Sequence, residues 1–141
     1  MTDLKNLNFT DIQIGDKVSF KMEISEEKVQ KFADISGDNN PLHMDEIYAQ
    51  NSKFKQKIAH GMLLGSYFSQ LVGMHMPGKK CLYLSQTLNF HNPCFLSDVV
   101  SVEGTVREKS DATKILEIDT TIYNQKNILL VDGTAKVMVL E

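Results

Sequence analysis

Much of what marks function by motif is missing from this chain. No run of about 18 apolar residues occurs, so nothing reads as a membrane span. There are only two cysteines, Cys81 and Cys94, and they have neither metal-ligand nor redox-motif spacing. They read as reduced thiols of a cytoplasmic protein. A basic excess is also absent: 15 Lys and Arg against 18 Asp and Glu leave a net charge of −3 and no field to gather nucleic acid. His-x-x-x-His and Cys-x-x-Cys pairs do not occur, and neither does a glycine-rich nucleotide loop, so no metal and no cofactor are expected. The Gly-x-Ser-x-Gly elbow of serine hydrolases is missing too. Residues Met1 to Asn8 have no cationic start followed by an apolar run and do not read as a secretory signal.

What remains is an ordinary globular composition. The 141 residues are 42% hydrophobic and 23% charged, which suits one domain, 1–141, with its own core. Val18 to Ile24 alternates apolar and polar residues and predicts a half-buried strand. Ser25 is a good N-cap, Glu26 and Glu27 favour the positive end of a helix, and Val29, Phe32 and Ala33 form its apolar stripe. Gly37 predicts its end. Asn39-Asn40-Pro41 reads as a turn, and a short helix is expected from Asp45 to Asn51.

The segment from Gly61 to Met76 is apolar around most of its circumference, which predicts a long buried helix ended by Pro77-Gly78. Ser66 on it is expected to bond back to the preceding turn. His75 reads as a surface histidine at the helix end. Four strands are expected after it: Leu82 to Phe90, Val99 to Glu108, Lys114 to Tyr123 and Ile128 to Val139. In the third, Leu116, Ile118, Thr120 and Ile122 should share the inner face. The pattern is α+β, an antiparallel sheet packed on one long helix.

Reactive side chains are densest in Ser36-Gly37-Asp38-Asn39-Asn40-Pro41-Leu42-His43. A turn at Pro41 allows Asp38 and His43 to face one small molecule, and a carboxylate and an imidazole around one water make a general acid/base arrangement. The same residues also fit a turn-capping Asp38 and a packing His43, and the residues alone leave both readings open. A second candidate is Ala59-His60-Gly61-Met62 at the start of the long helix. Gly61 has no Cβ, and the first N–H groups of a helix are unpaired, so a developing oxyanion would be stabilised there. A plain helix start with a packing His60 is the other reading. His91 and Asn92, before Pro93, stand in a loop open to a ligand.

Taken together, Phe32 to His43, Ile58 to Ser66, and Leu88-Asn89-Phe90 running on to Pro93 and Asp98 resemble the MaoC-like (R)-specific enoyl-CoA hydratases of the hot-dog fold, most closely their short single-domain bacterial members. The resemblance implies a long helix wrapped by a five-stranded antiparallel sheet, paired into a homodimer. It implies that Asp38 and His43 activate the water added to a trans-2-enoyl thioester, that Asn40 helps to position the water or the loop, and that the Gly61 N–H binds the thioester carbonyl. Ser69 is similar to the serine near the catalytic pair of the short members. His60 and Leu64 are further candidates for substrate contact. The implied partner is an acyl-CoA or acyl-carrier-protein thioester. The chain departs from the family pattern at His91-Asn92, where a basic residue often precedes the Pro, and at Ser97, where a Gly often precedes the Asp. Those places leave the carrier open. A related dehydratase, a thioesterase, or an acyl-thioester-binding subunit without catalysis are the competing readings.

Overall fold

A computed structural model describes residues 3–140; Met1, Thr2 and Glu141 lie outside the described residues, and with them part of the N-terminal reading. The strands are β1 (Lys17–Glu23), β2 (Cys81–Gln86), β3 (Asn89–Phe90), β4 (Val99–Ser110), β5 (Ile115–Tyr123) and β6 (Leu129–Val139). The helices are α1 (Glu26–Ser36), α2 (Pro41–Met44), α3 (Glu46–Gln50) and α4 (Gly61–Gln70). The sheet runs β1-β4-β5-β6-β2, antiparallel throughout, with β3 paired to β6 beside this path. The path is the expected five-stranded sheet, and β3 is an addition to it.

Period-two alternation decides which side chains face the helix. Leu116, Ile118, Thr120 and Ile122 are each 0% exposed, as the pattern in β5 requires. The strand expected from Leu82 to Phe90 is broken after Gln86. The Gln86 side chain turns inward, its Nε2 donating to the Thr120 hydroxyl at 3.0 Å and to the Thr87 carbonyl at 2.8 Å, and the chain leaves the ladder there.

α1 starts and ends where its sequence signals stand. The Lys28 N–H donates to the Ser25 Oγ at 3.3 Å, and Gly37 stops the helix in the left-handed region at φ 77°. The Asn39-Asn40-Pro41 turn is also the start of a helix that the sequence reading missed. Asn40 caps α2 and Pro41 takes its first position, where a missing N–H costs nothing. Asp45 then caps α3 through Oδ1 at 3.0 Å from the Tyr48 N–H.

α4 lies on the inner face of the sheet and continues as a wider π-helical turn, Leu71–His75, closed by the Met76 N–H on the Leu71 carbonyl at 3.0 Å. Leu63, Leu64, Phe68, Leu71 and Val72 are buried against Ile24, Val100, Val102 and Ile122 or against Val106, Ile118 and Val137. The expectation of burial on nearly every side needs correcting. Met62 is 57% exposed, and Ser66 and Ser69 are exposed on the same face. A helix on one sheet buries only the sector that faces it, and among the described residues nothing covers the side that bears Met62, Ser66 and Ser69. His75 is corrected as well: it stacks on Phe20 with centroids 5.2 Å apart, and its Nε2 is buried without a partner among the described residues. No helix of the described residues is long and apolar enough to cross a membrane.

Candidate active site

The loop between α1 and α2 is held by its own side chains. Asp38 Oδ1 accepts the Asn40 N–H at 3.1 Å, and Asn40 Oδ1 accepts the Leu42 N–H at 3.0 Å. The Asn40 carbonyl in turn accepts the His43 N–H at 2.9 Å. The spacing of Asp38, Asn40 and His43 is therefore a set of consecutive turns that put the carboxylate and the imidazole near each other. Asn40 positions the loop through its Oδ1.

A second strap brings up the start of α4. The Ile58 N–H donates to the Leu42 carbonyl at 3.3 Å and the Ala59 N–H to the Cys94 carbonyl at 2.8 Å. His43 Nδ1 is 2.7 Å from the Ile58 carbonyl. A carbonyl only accepts, so Nδ1 carries a proton and Nε2 is the nitrogen left for chemistry. Behind it lies His60, 2% exposed, with its Nε2 2.9 Å from the Asp38 carbonyl. One ligand atom from each of Asp38, His43 and His60 lies within 4.8 Å of the other two. The sequence carries no metal-ligand spacing, and this three-donor cluster exists only because the fold joins residues far apart in the chain.

Burial pushes the His60 pKa below the ordinary histidine value; the bond to the Asp38 carbonyl works against that, and neighbouring His43 adds to it. Cys94 behaves in the opposite sense: burial first, and then Asp98, push its thiol up to about 12. A thiol held protonated in this way is no nucleophile. Both cysteines are free.

His43, Gly61, Leu64 and Cys94 line a cleft of about 490 Å³ with Phe90, Leu130 and Val131. Lys53, His91 and Asn92 stand on the same cleft. His91 is paired with Asp132 at 3.0 Å, and Asn92 donates to the Leu129 carbonyl at 2.8 Å. Among the described residues the Gly61 N–H has no acceptor, as expected at the first position of a helix. A Cβ on Gly61 would stand 2.8 Å from two ring carbons of Phe90, so only glycine lets that ring close the cleft wall.

The other candidates fall elsewhere. Ser66 bonds back to the Leu63 carbonyl at 2.6 Å, as predicted. Ser69 is exposed, eight residues beyond Gly61, and is not part of the cleft lining. Leu64 lines the cleft. Asp98 is a structural corner, taking the Phe95 N–H and the Gln125 amide at 2.9 Å each. Nothing in the sequence signals that Ile58 holds the His43 ring or that Phe90 lies against Gly61.

Fold and site together define a hot-dog domain with a carboxylate–imidazole pair beside a mostly apolar cleft that Gly61 lines. Residues 10–127 match the MaoC-like domain, and the chain belongs to that family. It is 38% identical over 126 residues to an (R)-specific enoyl-CoA hydratase of Aeromonas caviae, covering 89% of this chain and 94% of that one. It is 35% identical over 139 residues to a 3-hydroxybutyryl-CoA dehydratase of Methylorubrum extorquens, covering 99% and 88%. Among solved structures, the R-hydratase PhaJ1 from Pseudomonas aeruginosa matches with a TM-score of 0.94 and 38% identity, over 98% of this chain and 88% of that one.

Proposed function

We propose that this protein is a hydro-lyase that adds water to a trans-2-enoyl-CoA and gives the (R)-3-hydroxyacyl-CoA, or runs the reverse dehydration. The observation that carries the reading is the joint placement of His43 and the unpaired Gly61 N–H on one cleft, with the Asp38 carboxylate at the imidazole. The relatives' names agree with it.

The chemistry needs three things. A base must take a proton from water as its oxygen bonds to C3. An acid must deliver a proton to C2. A donor must hold the thioester oxygen while it carries enolate charge. Asp38 and His43 supply the first two as a pair around one water, and their shares are not separable by position. The Gly61 N–H, at the positive end of α4, supplies the third. Asn40 keeps the loop in register for both. Leu64, Leu130 and Val131 offer the cleft an apolar wall for the substrate, and Lys53, on the same lining, offers a cation to a carrier phosphate.

The same reading makes the protein a cytoplasmic homodimer. Leu82 and Leu84, 48% and 44% exposed on the free-edged strand β2, and Met62 on α4 are the apolar surface a second copy would cover, and Ser69 shares the α4 face with Met62. The test is purified protein with crotonyl-CoA, followed by loss of the conjugated thioester absorbance and chiral analysis of the product. Formation of the (R)-3-hydroxy product is expected. Release of free thiol would instead indicate a thioesterase, and acceptance of the acyl-carrier-protein thioester alone would indicate the carrier-protein dehydratase.

A further inference from the structure

We propose that His60 is a positioning residue of this site rather than a substrate ligand: it fixes the spacing between the Asp38–His43 pair and the Gly61 amide. The inference rests on the hydratase reading. Three connections meet at this one residue. Its Nε2–H donates to the Asp38 carbonyl at 2.9 Å across 22 positions of chain. Its ring lies against His43 with centroids 4.0 Å apart and 30° between planes. Its own carbonyl carbon is bonded to the Gly61 nitrogen, which bears the donor for the thioester oxygen.

The Asp38 bond matters because little else ties that residue to the rest of the fold. Among the described residues, its other hydrogen bonds go to the Ser36 Oγ and the Asn40 N–H, both within two positions. Those bonds shape the loop but do not set its height over α4. His60 does. It is held from behind by Phe32, with centroids 4.9 Å apart.

Packing alone does not call for a histidine here. His60 caps α4 in sequence only, since its side chain makes no capping bond. Its Nδ1 is buried with no partner among the described residues, which is a cost that a phenylalanine would avoid. At 2% exposure behind His43, it is not placed to touch substrate. The ring that fills this position therefore sacrifices stability, and its return is the bond to Asp38. Displacing a reacting group by about 1 Å costs roughly a hundredfold in rate.

The variants His60→Phe and His60→Gln separate the roles. Phenylalanine keeps a ring against His43 and loses the bond; glutamine keeps an N–H donor for the Asp38 carbonyl. With crotonyl-CoA, His60→Phe should lose about a hundredfold in kcat with KM within about twofold. His60→Gln should recover at least about tenfold of that loss. A wild-type kcat in folded His60→Phe overturns the proposal. So does a rise in KM at constant kcat, which would mark a substrate ligand, or His60→Gln no better than His60→Phe. A measurement without turnover backs these, whether or not the variants fold: nitrogen-15 spectra of the wild-type histidines should show His60 protonated at Nε2 and bare at Nδ1. The reverse tautomer overturns the proposal. Inactive wild-type protein would sink the hydratase reading instead, and the tautomer would still report on His60.

Discussion

The imidazole of His43 lies over that of His60, with ring centroids 4.0 Å apart. The front ring lines the cleft and the rear ring is 2% exposed. Each ring gives one nitrogen to a backbone carbonyl, His43 to Ile58 and His60 to Asp38. Two side chains of one type thereby take different tasks, because one keeps a nitrogen facing the cleft and the other has its free nitrogen sealed in the core.

Removing either half of the acid/base pair should abolish most turnover. Asp38→Asn and His43→Ala should each lose about 10²–10⁴-fold in kcat with the far-UV circular dichroism unchanged. The double variant should lose little more than the worse single one, since both groups serve one water. Turnover near wild type in either single variant would contradict the assignment.

Gly61→Ala tests the amide donor by steric means. The new Cβ would meet the Phe90 ring at 2.8 Å, and that ring, 53% exposed, can swing away. A thermal melt should therefore show a loss of no more than about 1–2 kcal/mol. Turnover should fall at least about tenfold, because the methyl also crowds the approach to the N–H. Adding Phe90→Ala should relieve the crowding of the ring without restoring turnover.

Gly37 and Ser97 have the same positive φ, 77° in each. Glycine pays no steric penalty there and serine does. Ser97→Gly should stabilise by up to about 1.5 kcal/mol: relief of about 1–2 kcal/mol less the added chain entropy of glycine, about 0.5–1 kcal/mol. Gly37→Ala should destabilise by about 1 kcal/mol, with open space around its Cβ and only the backbone to blame. Urea midpoints at constant m-value check both.

Acid should weaken the fold earlier than carboxylates alone would make it. Burial depresses His60 and His75 below 6.5, with His43 and Lys5 as lesser contributors. Each then takes up its proton more readily in the unfolded chain. Their contribution is complete above pH 6.5 and declines as the pH falls through 6.5 toward the lower folded values. The lowered carboxylates Glu26, Glu27 and Asp132 act only further down, below their ordinary values of 4.5 and 3.8. Urea midpoints at pH 7.5 and 5.5 should differ in wild type, and the difference should shrink in His75→Phe. An unchanged midpoint would mean that both histidines protonate freely in the folded state.

Local signals were legible wherever a residue acts on its immediate neighbours. Ser25 and Gly37 bound α1, the alternation in β5 sets its inner face, and Pro77-Gly78 closes the long helix. The Asp38 to His43 cluster was legible as a cluster, and the resemblance supplied its role. Three things were not legible. Pro41 opens a helix rather than only breaking one, because a missing N–H is harmless in a first turn. The β2–β3 break depends on Gln86 reaching Thr120, 34 positions away. The open face of α4 depends on which neighbours happen to cover it.

The sequence by itself determined where α1 begins and ends, the inner face of β5 and the identity of the reactive groups, since caps, turns and alternation are settled within a few residues of chain. Only the tertiary structure decided which nitrogen of His43 is free, why His60 lies behind it, and that Phe90 closes over Gly61. Those relations join residues 15, 22 and 29 positions apart (43 to 58, 38 to 60, 61 to 90), and such pairs meet only after the sheet has wrapped the helix and burial has chosen their partners.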